Sequence, residues 1–378
     1  MTNPINSSNT QSFLSTPLKV VKSVGWVVLA ILALPSSLVG YQHSRLLLGK
    51  AAAIWSKNEN PTTGKTSDTI EQIIRKQTLD PLQDSIVADT STCCPNNPEN
   101  KGLPSVGNKI KIKEYVAQEW TGFTPRAETM KKGYSAIEQA GYKNIQQIRG
   151  DNYCGLRASL YQALRLGIAF PSIKETLELL KKEMHGLLDW NFANQKRLIE
   201  ELNKRVGLDQ NTQHGMFERM KFVLEKFEEK TASFQNLAKD ERESEAYRLL
   251  NSKEGDVIFM EALKLHMMAG FLRLYQMKEN NQEIPEFAYT MFAYEETETP
   301  QKFMINSLNL AGDTAGLLQQ EMCLLAHILS TSIKVFRPGS YGDQWDFINT
   351  FPVAKENQDI SKPLILVSED NRHYNVAT

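Results

Sequence analysis

Cysteine is scarce in this chain. The 378 residues contain four: Cys93, Cys94, Cys154 and Cys323. No two have the C-x-x-C spacing, which argues against a zinc ribbon, a dithiol redox motif and a disulfide framework. Such usage suits a reducing compartment, the cytosol or a membrane surface facing it. An excess of one charge is also missing: 43 Lys and Arg face 44 Asp and Glu, a formal net of −1. No strong field points to nucleic acid, so no nucleic-acid partner is expected. Internal repeats are absent, which argues against a solenoid or propeller. None of these absences prevents a core, because 41% of the residues are hydrophobic.

Long uncharged runs are lacking too, with one exception. "SVGWVVLAILALPSSLVGYQHS", Ser23–Ser44, carries no Asp, Glu, Lys or Arg, and Lys22 and Arg45 bracket it. As a helix it would reach roughly 33 Å, the thickness of a bilayer core. Trp26 and Tyr41 stand near its ends, where interfacial aromatics are expected. A cleaved signal peptide and a buried core helix are the competing readings. The long polar leader and the length of the run favour a membrane anchor over 19–45. Arg45, Lys50, Lys57 and Lys65 follow the run, against Lys19 and Lys22 before it. That bias places the C-terminal bulk on the cytosolic side.

Residues 1–18 are rich in Asn, Ser and Thr and read as disordered. Residues 46–110 read as a flexible linker, with "KNENPTTGKTSDT" and "CCPNNPENKGLPSVGNK" as its most polar stretches. Exposed thiols are the simplest reading of Cys93 and Cys94 there. The folded domain is expected over 111–378. "AETMKKGYSAIEQAGY", "SIKETLELLKKEMHGLLDW", "GMFERMKFVLEKFEEKTASF", "DVIFMEALKLHMMAGFLRLYQM" and "TAGLLQQEMCLLAHILS" repeat apolar residues at three- and four-residue spacing and predict helices. "IKVFRP" predicts a strand, and "PLILVSEDNRHYNVAT" predicts two strands joined by a polar turn. The class expected is α+β, a sheet covered by helices.

Chemistry concentrates in "IRGDNYCGLRASLYQALRLG", Ile148–Gly167. Gly, Asp and Asn signal a turn, and Leu156, Leu160, Ala163 and Leu164 then recur at helical spacing. Cys154 falls at the first turn of that helix. The orphan amides and the positive end of the dipole there favour a thiolate and can receive an oxyanion, with the Asp151 turn as a further backbone donor. Of six histidines, His43 lies in the apolar run, and His185, His214, His266 and His327 lie in or beside helical segments, where structural roles are the simpler reading. His373 differs. In "NRHYNV" it opens the last strand, and the two-residue period puts His373 and Asn375 on one face with Tyr374 on the other. An Asn beside a His can orient the imidazole toward a sulfur, the Cys-His-Asn arrangement of papain-like proteases. Against that stands the plain alternative of a buried small hydrophobe at Cys154 and a surface residue at His373.

"RGDNYCGLRASLYQA", "EDNRHYNV", "AGDTAGLLQQEMCLLA" and "AQEWTGFTPR" resemble, in order, conserved segments of the OTULIN and OTULIN-like family, ovarian-tumour (OTU) type deubiquitinases of the linear-ubiquitin class. The resemblance runs over most of 111–378 and implies an OTU-type papain-like cysteine protease domain. It implies Cys154 as nucleophile, His373 as general base, Asn375 as its orienting partner and Asp151 in the oxyanion loop. It places Trp120 against ubiquitin, with Glu119, Arg149, Gly150, Asp346, Asp370, Asn371 and Arg372 along the same surface. An acidic residue before the histidine, here Asp370, can hold the imidazole in an unproductive pose until substrate arrives. The implied reaction is hydrolysis of Met1-linked (linear) polyubiquitin, with no metal and no organic cofactor.

This chain departs from the family in several places. Gly155 stands where the family usually has Ala, and Leu318 where catalytic members have an acidic residue. No tyrosine lies between Lys57 and Lys109, so the motif that docks on the linear-ubiquitin ligase is not visible. The chain stops at Thr378, without the family's C-terminal PDZ-binding tail. Catalytic members lack an anchor, and the anchored members lack the cysteine. Two functions are therefore expected to compete: a membrane-tethered deubiquitinase, and a weak or inactive membrane-bound interaction protein. The expected location is the cytosolic face of a membrane, with the endoplasmic reticulum suggested by the anchored relatives.

Overall fold

The computed structural model describes residues 103–192, 200, 202–204, 207, 212–252, 255–343, 346–351, 362–370 and 373–378. The apolar run 23–44, the segments 1–18 and 46–102, and the candidates Asn371 and Arg372 lie outside the described residues. Among the described residues no helix is long and apolar enough to cross a membrane.

The chain enters as strand β1 (Val106–Lys111), then α1 (Ile112–Glu119), α2 (Pro125–Gln139) and β2 (Asn144–Ile148). Helix α3 (Cys154–Leu166) follows, then α4 (Ile173–Lys182), α5 (Gln213–Thr231), α6 (Lys239–Leu250), α7 (Gly255–Glu279), α8 (Glu286–Ala293), α9 (Pro300–Phe303) and α10 (Gln319–Ile328). The last strands are β3 (Ile333–Phe336), β4 (Ile348–Phe351), β5 (Leu364–Ser368) and β6 (Tyr374–Ala377). The class is α+β, as the sequence implies. The sheet begins earlier than expected, since β1 occupies residues read as linker. "VGNKIK" hides its strand character because it is an edge strand, mostly exposed, with Gly and Asn in its middle.

The six strands run β1-β2-β6-β5-β3-β4. Neighbours are antiparallel except β3 and β5, which are parallel. The final strand thus sits inside the sheet, between β2 and β5. Alternation sorts the side chains of β5 and β6 into two cores. Leu364, Leu366, Tyr374 and Val376 join the large core with α3 and the helical mass. Ile365, Val367 and Ala377 join Tyr115, Met130, Tyr134 and Ile137 of α1 and α2 on the opposite face. With both faces covered, β5 reads as an unbroken apolar run.

Local chemistry fixes the helices. Thr124 accepts the Ala127 N–H at 3.2 Å and Pro125 opens α2, a capped start with a preset φ. Gly167, at φ 67°, closes α3 in the left-handed conformation. Helix α7 is apolar almost all round, as a helix enclosed by others must be. Buried Gln162 locks α3 to the sheet, donating to the carbonyls of Ile365 at 3.0 Å and Ala377 at 3.1 Å.

Candidate active site

Cys154 is the first residue of α3 and only 2% exposed. The turn before it is shaped by Asp151. One carboxylate oxygen accepts the Tyr153 N–H at 3.0 Å, and the Asp151 carbonyl accepts the Cys154 N–H at 3.0 Å. The Cys154 amide therefore donates inside the turn here, whereas the sequence offered it as an oxyanion donor. Two arginines brace the same aspartate. Arg157 donates to it at 2.6 and 3.0 Å, and Arg149 at 2.8 Å. Burial pushes the Asp151 carboxyl up, but the Arg157 and Arg149 guanidiniums outweigh it and hold it below its ordinary range.

On the other side of the site, His373 Nε2 and Asn375 Oδ1 lie 3.1 Å apart. The same Oδ1 accepts the backbone N–H of Ile148 at 2.9 Å. That amide can only donate, so it fixes which end of the Asn375 amide faces inward. An oxygen facing Nε2 then requires the proton on Nε2, which leaves Nδ1 as the unprotonated nitrogen. Nδ1 is buried and has no hydrogen-bond partner among the described residues. Burial depresses the imidazole pKa, against the raising effect of Asn375 and the nearby carboxylates, so the ring is neutral near pH 7. These are the properties of a general base awaiting a proton.

The two halves meet. A Cβ added to Gly155 would lie 3.4 Å from the Tyr374 ring, so the residue after the cysteine abuts the residue after the histidine. Tyr374 does face away from Asn375, and that opposite face is the one α3 covers. Burial, then the charge at Cys154, pushes the Tyr374 hydroxyl up to about 12.

The remaining sequence candidates divide. Trp120 is half-buried, and its Nε1–H donates at 3.2 Å to Glu369, which also receives Tyr115 at 3.1 Å and the Tyr134 hydroxyl. The tryptophan is thus fastened beside the histidine turn by its own domain. Asp370 accepts the His373 backbone N–H at 2.9 Å, so the imidazole here takes its orientation from Asn375. Asp346 is tied to Arg337 at 2.9 Å and Ser340 at 2.7 Å. Glu119 is exposed and Gly150 half-buried. The Arg149 guanidinium, expected on ubiquitin, is engaged by Asp151 and Asp256. Among the described residues no group of three or more His, Cys, Asp or Glu could hold a metal ion.

Three contributors were missed from sequence. Arg157 carried a signal, a charge on the buried stripe of an amphipathic helix. The Ile148 amide and Asp256 carried none, because each acts from a distant part of the chain.

Solved structures with similarity to the chain include two OTUB1 complexes. The ceOTUB1–ubiquitin aldehyde–UBC13~Ub complex is 16% identical, with 74% of this chain and 95% of that one covered at a TM-score of 0.46. For h/ceOTUB1–ubiquitin aldehyde–UBCH5B~Ub the figures are 14%, 88%, 98% and 0.44. The model of Peptidase family C101 matches residues 104–378, from the edge of β1 to the final residue, and so includes the cysteine turn and the histidine strand together; the chain belongs to peptidase family C101.

Proposed function

We propose that this chain is a thiol deubiquitinase that hydrolyses Met1-linked ubiquitin chains through Cys154, His373 and Asn375. The observation that carries the reading is the doubly donated oxygen of Asn375. It holds the imidazole in one tautomer, with a bare buried nitrogen, at the strand abutting the cysteine helix. Membership in a peptidase family supports the hydrolysis. The four segments resembling the OTULIN family support the linear-chain substrate.

In the reaction, His373 Nδ1 takes the Cys154 proton and the sulfur attacks the carbonyl carbon of the ubiquitin C-terminal glycine. The tetrahedral oxyanion collapses, the C–N bond breaks, and the imidazolium gives its proton to the departing Met1 amine. Water, deprotonated by the same ring, then cleaves the thioester. The helix dipole at Cys154 favours the anion at sulfur. The Asp151 turn supplies an oxyanion donor once its own hydrogen bonds yield to substrate.

Residues 23–44 anchor this activity to a membrane, with the domain on the cytosolic side, the endoplasmic reticulum being the favoured location. One observation favours the non-catalytic alternative. Leu318 is 69% exposed where catalytic members have an acidic residue, and adjoining Leu317 lies against Gly155. A single experiment separates the two. The full chain is incubated with a ubiquitin-propargylamide probe and with linear and lysine-linked diubiquitin. A covalent adduct abolished in Cys154→Ala, with cleavage of the linear dimer, is expected. No adduct, or cleavage that survives Cys154→Ala, overturns the reading.

A further inference from the structure

Two arginines and two aspartates close a ring behind the nucleophile turn. Arg157 stands one helical turn after Cys154 with a side chain 0% exposed. It donates to both oxygens of Asp256, at 2.7 and 2.9 Å, and to both oxygens of Asp151, at 2.6 and 3.0 Å. Arg149 bridges the same pair, at 2.8 Å to Asp151 and 2.7 Å to Asp256. The ring carries no net charge, and its bidentate forks fix planes as well as distances.

Three members of the ring belong to the segment that carries the cysteine. Asp256 does not: it arrives from the first turn of α7, 99 positions beyond Arg157. Among the described residues it is the ring's only tie to α7. Asp151 in turn holds the Tyr153 and Cys154 amides, so the mechanical path runs from α7 through two guanidiniums to the nucleophile backbone.

We propose that Asp256 is a positioning residue for the hydrolysis, setting the Asp151–Cys154 turn through Arg157 and Arg149. The claim rests on the reading of Cys154 as nucleophile. Without Asp256, Arg157 keeps one carboxylate of two and Arg149 loses its second anchor, so α7 reaches the turn only through the Tyr153 hydroxyl on Glu261, at 2.7 Å, among the described residues. A displacement of about 1 Å at reacting atoms costs on the order of a hundredfold in rate, whereas Asp256, itself buried, offers ubiquitin no surface of its own.

The test compares the full chain with Asp256→Asn and Asp256→Glu in linear-diubiquitin kinetics and amide hydrogen exchange. In Asp256→Asn, kcat is expected to fall about tenfold or more with KM unchanged. Exchange is expected to quicken at residues 151–156 while β5, β6 and α5 keep their protection. Asp256→Glu, which retains the charge on a longer stem, falls between the two and carries both readings if the Asn variant does not fold. Wild-type kcat in Asp256→Asn, or protection lost evenly across the domain, overturns the proposal. If the wild type hydrolyses nothing, the deubiquitinase reading fails by itself, and the exchange pattern alone decides whether Asp256 sets the turn.

Discussion

Asn375 has two tasks at one oxygen, and they separate on mutation. Asn375→Ala frees the imidazole to adopt either tautomer and leaves the Ile148 N–H buried without its acceptor. The first effect is expected to lower kcat/KM for linear diubiquitin by about tenfold or more. The second is expected to cost about 1–3 kcal/mol in denaturant unfolding. Arg157→Leu tests the charge ring. It leaves a buried and a half-buried carboxylate facing one arginine, and removing one partner of a buried pair costs about 3–5 kcal/mol, read as a lower unfolding midpoint. At this scale the sequence showed the local pattern and missed the rest. A cysteine at a helix start and a histidine two places from an asparagine are visible because their spacing is short. The Ile148 amide lies 227 positions from the oxygen it orients, and no local pattern encodes that.

Two glycines show how elements set tolerance. Gly155 faces the Tyr374 ring with room for a methyl at ordinary contact, 3.4 Å. Gly155→Ala, the residue the resembling family carries, is expected to stabilise the domain by about 0.5–1 kcal/mol through helix propensity without loss of hydrolysis. Gly133 of α2 differs, because an added Cβ would lie 2.5 Å from the backbone of Pro338. Backbone cannot swing aside, so Gly133→Ala is expected to lower the unfolding midpoint by about 1–3 kcal/mol of overpacking. Thermal melts of the two variants should therefore move in opposite directions. Elements with apolar periodicity were legible: α2, α4, α5, α7, α10 and the β5–β6 pair. β2, "NIQQI", was not, because its inward Gln146 is 2% exposed and is satisfied by the Gly107 carbonyl and the Tyr161 hydroxyl. A buried polar residue with partners in other elements breaks the alternation that marks a strand.

The candidate site is a product of the whole topology, since His373 immediately precedes the strand that closes the middle of the sheet and Cys154 opens the helix packed across that strand. Conditions that loosen the domain therefore dismantle the proposed site for reasons unrelated to catalytic protons, and acid is the clearest case. His266, inside the helical mass, has Nδ1 2.9 Å from the Thr176 hydroxyl, and burial pushes its pKa from 6.5 down to about 3. Burial depresses His327 and His373 as well. In each case the unfolded ring binds a proton that the folded ring refuses. Their contribution is complete above the unfolded value of 6.5 and is lost as pH falls toward the folded value, about 3 for His266. The slope is at most about 1.4 kcal/mol per pH unit for each ring. Asp151, lowered from 3.8, loses its contribution in the same direction but at lower pH, while Glu321, raised from 4.5 by burial, takes up a proton more readily when folded and opposes the histidines in the acid part of the window between about 6.5 and 4. Denaturant midpoints across that window should fall steadily in the wild type. In His266→Gln they should fall less steeply, whatever constant offset the lost packing adds, and an unchanged slope would mean that His266 already accepts its proton in the folded protein.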